Sequence, residues 1–290
     1  MTEAPERMLP LYESKLLHQF DHRWATYESD GSTRDATDEE KDDPRFEVEP
    51  RYWVPESSAA DTLNGRWNEA WATVWRGIAR STDIRTAIAT ATDGIAGGGN
   101  YDYFLAGNSG LNSLIATGFL NSFVFDYVVR QKLTGMHLQF SVMAQLVAPE
   151  PREITGLISW TRESGTAWFG SRLCELLYTS ERLAPAARLL GDQGEPFRWD
   201  IERRGLIRAE LDAAFFHLYG VARDDVDYIM ETFPIVRRKD EVAHGEYRTK
   251  RVILEVHDAM QRAIDTGTAY QTILNPPPGL GPRHPARESS

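Results

Sequence analysis

The sequence predicts an α+β fold: a mixed N-terminal region followed by a helical C-terminal subdomain. Three observations carry this. Apolar residues recur at helical spacing late in the chain, at Leu206, Leu211, Phe215 and Leu218 and again at Val252, Val256, Met260 and Ile264. Extended pieces mark the first half, in Pro50-Arg-Tyr-Trp-Val-Pro55 and in the weak alternation of residues 84–91. A glycine-rich turn, Gly94-Ile-Ala-Gly-Gly-Gly-Asn100, separates those pieces from the first long apolar helix.

Taken in order, residues 8–27 are apolar and aromatic and predict a strand or turn leading into a short helix. Residues 28–49 hold Asp30, Asp35, Asp38, Glu39, Glu40, Asp42 and Asp43 with few apolar side chains. Such a run buries too little surface to offset its ordering entropy, so the expectation is an acidic mobile loop. Residues 50–55 predict an extended lead-in. Residues 64–80, with Trp67, Trp71, Val74, Trp75 and Ile78, predict an amphipathic helix. Residues 84–91 predict a strand and 94–100 a turn. Residues 109–131 predict a helix ending near Arg130, with Leu114, Ile115, Phe119, Phe123, Val124 and Val128 inward. Residues 137–147 predict a strand or short helix closing at Pro149-Glu-Pro151.

Residues 168–190 predict helix and 196–200 a loop. Residues 201–219 predict a strong helix with Gly220 as its C-cap. A second helix spans 223–233 and stops at Pro234, and a third spans 248–266. The stretch from Asn275 is rich in Pro and Gly and predicts disorder. The expected division is residues 1–195 for a mixed domain, with the mobile loop at 28–49, residues 196–268 for the helical subdomain, and residues 269–290 for a disordered tail.

The chain has 290 residues, 41% of them hydrophobic, enough for one large or two smaller cores. Its formal net charge of -11 lacks the overall basic signature of nucleic-acid binders, although a local basic face can still bind phosphate. A single cysteine, Cys174, excludes an internal disulfide framework and points to a reduced, cytoplasmic compartment. The start, Met1-Thr-Glu-Ala-Pro-Glu-Arg7, does not read as a secretory signal. No apolar run reaches the roughly 20 residues that a membrane helix needs.

Four groups invite chemistry. Residues 94–100 supply backbone N–H groups for a phosphate, but Tyr101-Asp-Tyr-Phe104 does not open a helix, which favours a plain loop. His18, Asp21 and His22 have metal-like spacing on one helical face, while Phe20 and Trp24 favour packing. Lys239-Asp-Glu241 and Glu246 with Lys250 evoke a metal-dependent nuclease, yet Glu246 heads a helix, where acid complements the dipole. The fourth group is basic. Arg76, Arg80, Ser81, Thr82, Arg85 and Thr86 mix cations and hydroxyls of the kind that contact DNA phosphates. Arg130, Gln131, Lys132 and His137 add a second cluster, in which Arg and Gln are able to read guanine and adenine edges. The late cations Arg237-Arg-Lys239, Arg248, Lys250 and Arg251 either touch a nucleic-acid backbone or pair with Asp240, Glu241 and Glu246.

Several segments in fixed order carry a resemblance. They are Pro10-Leu-Tyr-Glu-Ser-Lys15 with Phe20-Asp-His-Arg-Trp-Ala-Thr-Tyr27, then residues 50–55, Trp75-Arg-Gly-Ile-Ala-Arg-Ser-Thr-Asp-Ile-Arg-Thr86, and Phe125-Asp-Tyr-Val-Val-Arg-Gln-Lys132 with Gly135-Met-His-Leu138. Arg208-Ala-Glu-Leu-Asp-Ala-Ala-Phe-Phe-His-Leu-Tyr-Gly220, Tyr228-Ile-Met-Glu-Thr-Phe-Pro-Ile-Val236 and Gly245-Glu-Tyr-Arg-Thr-Lys-Arg251 complete the series. From about Leu9 to Met260 the chain resembles the C-terminal target-recognition region of type IIG restriction–modification adenine-N6 DNA methyltransferases and the related BREX and DISARM methylases.

The resemblance implies a DNA-recognition fragment or split subunit acting on double-stranded DNA, with residues 1–195 as the target-recognition domain and no cofactor in this chain. It implies S-adenosylmethionine on a catalytic domain or subunit supplied in trans. The family's glycine-rich cofactor loop and Asn-Pro-Pro-Tyr/Phe loop are not found here. Asn275-Pro-Pro-Pro278 lacks the aromatic residue that stacks on a flipped base. The competing expectations are an inert remnant of a truncated methylase gene and, behind it, a metal-dependent nuclease.

Overall fold

A computed structural model describes residues 6–63, 65–106 and 109–286. Residues 1–5, Asn64 at the start of the predicted helix, and residues 287–290 of the predicted tail lie outside the described residues.

The first half is built from short strands. Strand β1 (Met8–Leu11) leads through a 3-10 turn (Ser14–Leu16) to β2 (Ala25–Tyr27), which pairs with β3 (Thr33–Asp35) in an antiparallel hairpin. Helix α1 (Asp38–Asp42) follows, then β4 (Tyr52–Pro55), which pairs with β1 so that Leu9 faces Val54. Helix α2 (Glu56–Leu63) leads to β5 (Ala72–Arg76), β6 (Ala89–Thr92) and β7 (Tyr101–Phe104). These three form an antiparallel sheet with β5 in the centre.

The segment with tryptophans at helical spacing is therefore not the predicted amphipathic helix: Trp67 and Trp71 lie in irregular chain and residues 72–76 form a buried strand. Residues 72–75 are buried on both faces. Trp75 joins one apolar cluster, with Ala89 and Ala91, while Ala72 and Val74 join another, with Leu16, Leu17 and Tyr101. A strand buried on both faces reads as a continuous apolar run, which periodicity alone does not distinguish from helix. Thr73, Val74 and Trp75 are residues that suit a pleated, packed surface.

The acidic segment is ordered, contrary to the expectation of a mobile loop. Buried Arg23 donates to the carbonyls of Lys41 (2.6 Å), Asp43 (2.6 Å) and Phe46 (3.2 Å). Lys41 pairs in the interior with Asp21 at 2.9 Å. A capping box between Thr37 and Glu40 starts α1, and Arg34 clamps Glu40 at 2.6 Å. Two buried cations and one cap thus hold a chain that buries little apolar surface of its own.

The second half is helical. It comprises α3 (Gly110–Leu120), α4 (Phe123–Lys132), the short α5 (Phe140–Met143) and α6 (Pro151–Thr155), α7 (Gly165–Leu177), a 3-10 turn (Glu181–Leu183) and α8 (Ala184–Leu189). The predicted helix over 109–131 is two helices, because Ser122 caps α4 by accepting from the Phe125 amide at 3.3 Å. Asp200 caps α9 (Ile201–Leu218), and Gly220 follows it at φ 66°. Helix α10 (Arg223–Glu231) is succeeded directly by α11 (Pro234–His244), and then by α12 (Arg248–Thr266). Pro234, read as a stop, is the first residue of α11, where its missing N–H costs nothing.

The predicted boundary at 195/196 falls inside one core, which runs from Phe20 through Trp75, Phe125 and Phe169 to Phe215, Met260 and Leu274. Nor is the Pro/Gly-rich tail disordered over its described part. Glu210 accepts from Tyr270 (2.8 Å), Thr272 (2.6 Å) and the Ile273 amide (2.9 Å). Glu175 accepts from the Gly279 amide at 2.9 Å, and Arg283 pairs with Asp192 over the Phe197 ring. Composition concealed these partners because they all lie on helices α7 and α9 or the loop between them. No helix among the described residues is long and apolar enough to cross a membrane.

Candidate nucleic-acid interface

The two predicted basic clusters, far apart in sequence, meet in the fold. After β5 the chain turns outward, and Ile78 forms an antiparallel bridge with His137. The Ala79 amide donates to Met136 O (3.0 Å) and the Leu138 amide to Gly77 O (2.8 Å). Trp75 fixes the crossing from below through Nε1–H to Leu138 O at 3.1 Å. Strand β5, buried at the sheet centre, thus anchors the 77–86 loop against the segment that follows α4.

A buried carboxylate ties the other end of this loop. Asp126 is fully buried on α4. It accepts from Arg85 Nε at 2.7 Å, from Arg130 Nε at 3.0 Å and from the Thr86 amide at 3.0 Å. Arg85 also donates to Asn121 O at 2.5 Å and lies 4.0 Å from the centre of the Phe123 ring. Arg130 donates to Asp83 O (2.8 Å) and Ile84 O (3.2 Å) over the Phe233 ring. The Thr86 hydroxyl donates to Arg80 O at 3.0 Å.

These bonds correct part of the expected contact set. Arg85, Thr86 and Arg130 are framework: the bonds just given hold them within the protein, and their side chains are largely withdrawn from the surface. Arg76, half-buried at the end of β5, has a buried Nε with no hydrogen-bond partner among the described residues. Burial lowers its pKa, and the Asp83 carboxylate opposes that shift. Arg80, Ser81, Thr82, Gln131, Lys132 and His137 are exposed. None of these six side chains has a hydrogen-bond or ion-pair partner among the described residues. Between them stand Ile78 and Met136, apolar yet 44% and 51% exposed; Ile78, expected on the apolar stripe of a helix, faces outward instead. The i,i+4 spacing of Asp126 and Arg130 was a legible sign that this arginine has a partner on its own helix. Nothing local signalled Arg85, whose partner is 41 residues away.

The remaining candidates resolve into packing. Residues 94–100 run into strand β7, and side chains at Gly94 and Gly97 would strike the rings of Tyr12 and Tyr101, so close ring packing accounts for these glycines. His18, Asp21 and His22 share no helix face. They form a tight turn, with His18 N to Asp21 O at 2.8 Å and Phe20 at φ 56°. The Asp21 carboxylate is taken by Lys41, and burial pushes the His18 and His22 rings down to about 3, so both are neutral. The nuclease elements are dispersed into ion pairs. Glu246 pairs with Arg251 at 2.8 Å, and Lys250 on α12 pairs with Asp227 (2.8 Å) and Glu231 (2.5 Å). Among the described residues no group of three or more His, Cys, Asp or Glu is placed to hold a metal ion.

The late basic cluster is split in the same way. Arg237 pairs with Glu231 and Glu241, and Arg248 pairs with Glu202 at 2.6 Å, while Lys239 stays exposed without a partner. Comparison of the chain with protein-family models, with curated proteins and with solved structures gives no match in any of the three.

Proposed function

We propose that this chain is the DNA-recognition portion of a site-specific adenine-N6 DNA methyltransferase in a restriction–modification or phage-defence system. One observation carries the reading beyond the resemblance. Two basic segments that are distant in sequence are joined at the Ile78–His137 bridge, and they present cations, hydroxyls and an amide to solvent without internal partners. In this reading Arg80 and Lys132, with the Ser81 and Thr82 hydroxyls, contact phosphates and set the register on the duplex. Gln131 and His137 reach base edges, Gln131 with the geometry that suits adenine. Ile78 and Met136 supply the apolar contacts that such faces place between cations. S-adenosylmethionine binding and methyl transfer belong to a catalytic domain or subunit supplied in trans.

The test has two parts. The purified chain should enrich one sequence class from a pool of random duplexes, and should transfer no methyl group until a catalytic partner is added. Methylation by this chain alone refutes the division of labour. Absence of duplex binding at low salt leaves the inert remnant, and magnesium-dependent cleavage would restore the nuclease.

A further inference from the structure

Beneath the 84–85 end of the loop, a cavity of about 220 Å³ opens between α9 and α11. Arg208, Gly205, Asp240 and Thr249 also line a second cavity of about 140 Å³ on the α12 side, so the two form one groove along α9. Arg208 is its central group. The side chain is half-buried, yet it makes no hydrogen bond and no ion pair among the described residues. Burial lowers its pKa, the neighbouring charge of Arg85 adds to the shift, and the Asp212 and Asp240 carboxylates oppose it without bonding to the guanidinium. Lys239, likewise without a partner, stands at the rim. A guanidinium withdrawn from water without a hydrogen-bond partner is costly, and the planar fork of its N–H donors matches two phosphate oxygens at once.

The other charges facing the groove are Arg85, Asp212 and Asp240 and, on the α12 side, His244 and the Arg248–Glu202 pair. Arg85 is bound to Asp126. Asp240 accepts from the Thr249 amide at 2.6 Å. Asp212 accepts from the Phe123 amide at 2.8 Å, and burial raises its carboxyl to about 6. His18, neutral, closes the inner wall.

A second observation is independent of charge. Gly205 lies inside the 18-residue helix α9, where glycine is unfavourable by roughly 0.5–1 kcal/mol relative to alanine. Packing does not demand it, because a Cβ built there meets no heavy atom within 4 Å. The position lines both cavities. Its effect is to keep the groove open in front of Arg208.

We propose that this groove is a phosphate-binding pocket, with the Arg208 guanidinium as principal ligand, Lys239 at the rim and Gly205 as the opening. The ligand group is a phosphate, carried either by a nucleic-acid backbone or by a free phosphate compound. The pocket stands whether or not the 76–86 and 130–137 face binds DNA.

Calorimetric titration of the full chain with inorganic phosphate, against chloride at equal ionic strength, tests it. Saturable binding is expected for the parent protein. Arg208→Gln should weaken it about 10- to 100-fold, the loss that follows from removing a charged hydrogen-bond donor. Gly205→Leu should fill the groove and weaken it comparably while leaving the melting temperature unchanged or higher, so that lost binding is not lost folding. Phosphate binding that is indistinguishable from chloride, or equal in all three proteins, overturns the pocket. A short duplex then identifies the source. Duplex affinity that falls in Gly205→Leu together with phosphate affinity assigns a backbone phosphate, whereas unchanged duplex affinity assigns a free phosphate compound. A parent chain that binds phosphate but no duplex keeps the pocket and rejects the DNA reading.

Discussion

The buried carboxylate of Asp126 organises the proposed face, so removing its charge should both destabilise the protein and loosen the loop. Asp126→Asn keeps the size of the side chain but leaves Arg85 and Arg130 without an opposing charge, at side-chain exposures of 8% and 10%. Taken singly, three charge-assisted bonds at about 1.5–3 kcal/mol each would sum to roughly 5–9 kcal/mol. That sum overcounts, because Arg85 retains Asn121 O and the Phe123 ring, and Arg130 retains Asp83 O and Ile84 O. Breaking a buried pair by removing one partner costs about 3–5 kcal/mol, and this is the expected loss. With a urea dependence of about 3 kcal/mol per molar, the unfolding midpoint should fall by roughly 1–2 M. Backbone amides of residues 83–86 should exchange faster than those of β5. A midpoint shift below about 0.3 M would show that the arginines reach other acceptors at little cost, and the framework assignment would fail.

Three further outcomes follow from the same geometry. Burial holds the His18 and His22 rings at about 3, so the unfolded chain binds protons that the folded chain refuses. Their contribution is complete above about 6.5 and is lost as pH falls toward 3, at up to about 1.4 kcal/mol per pH unit for each ring. Asp212, raised to about 6, acts in the opposite sense. The difference between parent and His22→Gln midpoints from pH 7 to pH 4 isolates the ring, and a parent curve no steeper than the variant's contradicts its buried, neutral state. Arg283→Ala removes the pair with Asp192 and should cost about 1–2 kcal/mol in urea unfolding, whereas a disordered tail would leave the midpoint unmoved. Gly205→Ala should raise stability by about 0.5–1 kcal/mol, and a destabilised variant would mean that the position is tightly packed after all.

Legibility followed the range of the interactions. Helix α12 was readable at both ends because its apolar stripe, Val252, Val256 and Met260, is a local property. Strand β5 reads as helix in the sequence because Trp71 and Trp75 are four apart, a spacing that fits one face of a helix and equally one face of an extended chain, and both join the same core cluster. The acidic segment and the tail were read as disordered because their order depends on Arg23, Lys41, Glu175 and Glu210, groups that composition counts as surface charge. On the proposed face, residue types mark two segments that the fold brings together, but not the split within them. Arg80 and Arg85 are alike in sequence, and only the position of Asp126 in the fold makes one exposed and the other internal. The Arg208 pocket gave no local sign, since it forms where α9, α11 and the 18–19 turn converge.

The proposed DNA face is tested most directly by the salt dependence of duplex affinity, measured by fluorescence anisotropy for the parent chain and for the Arg80→Ala, Lys132→Ala double variant. Both side chains are exposed and unpaired, so the variant should melt as the parent does. If they contact phosphates, affinity should fall on every sequence tested, and the slope of log affinity against log salt should shrink by about 2, roughly one for each cation removed. A double variant with the parent's affinity and the parent's slope would mean that this surface does not meet DNA.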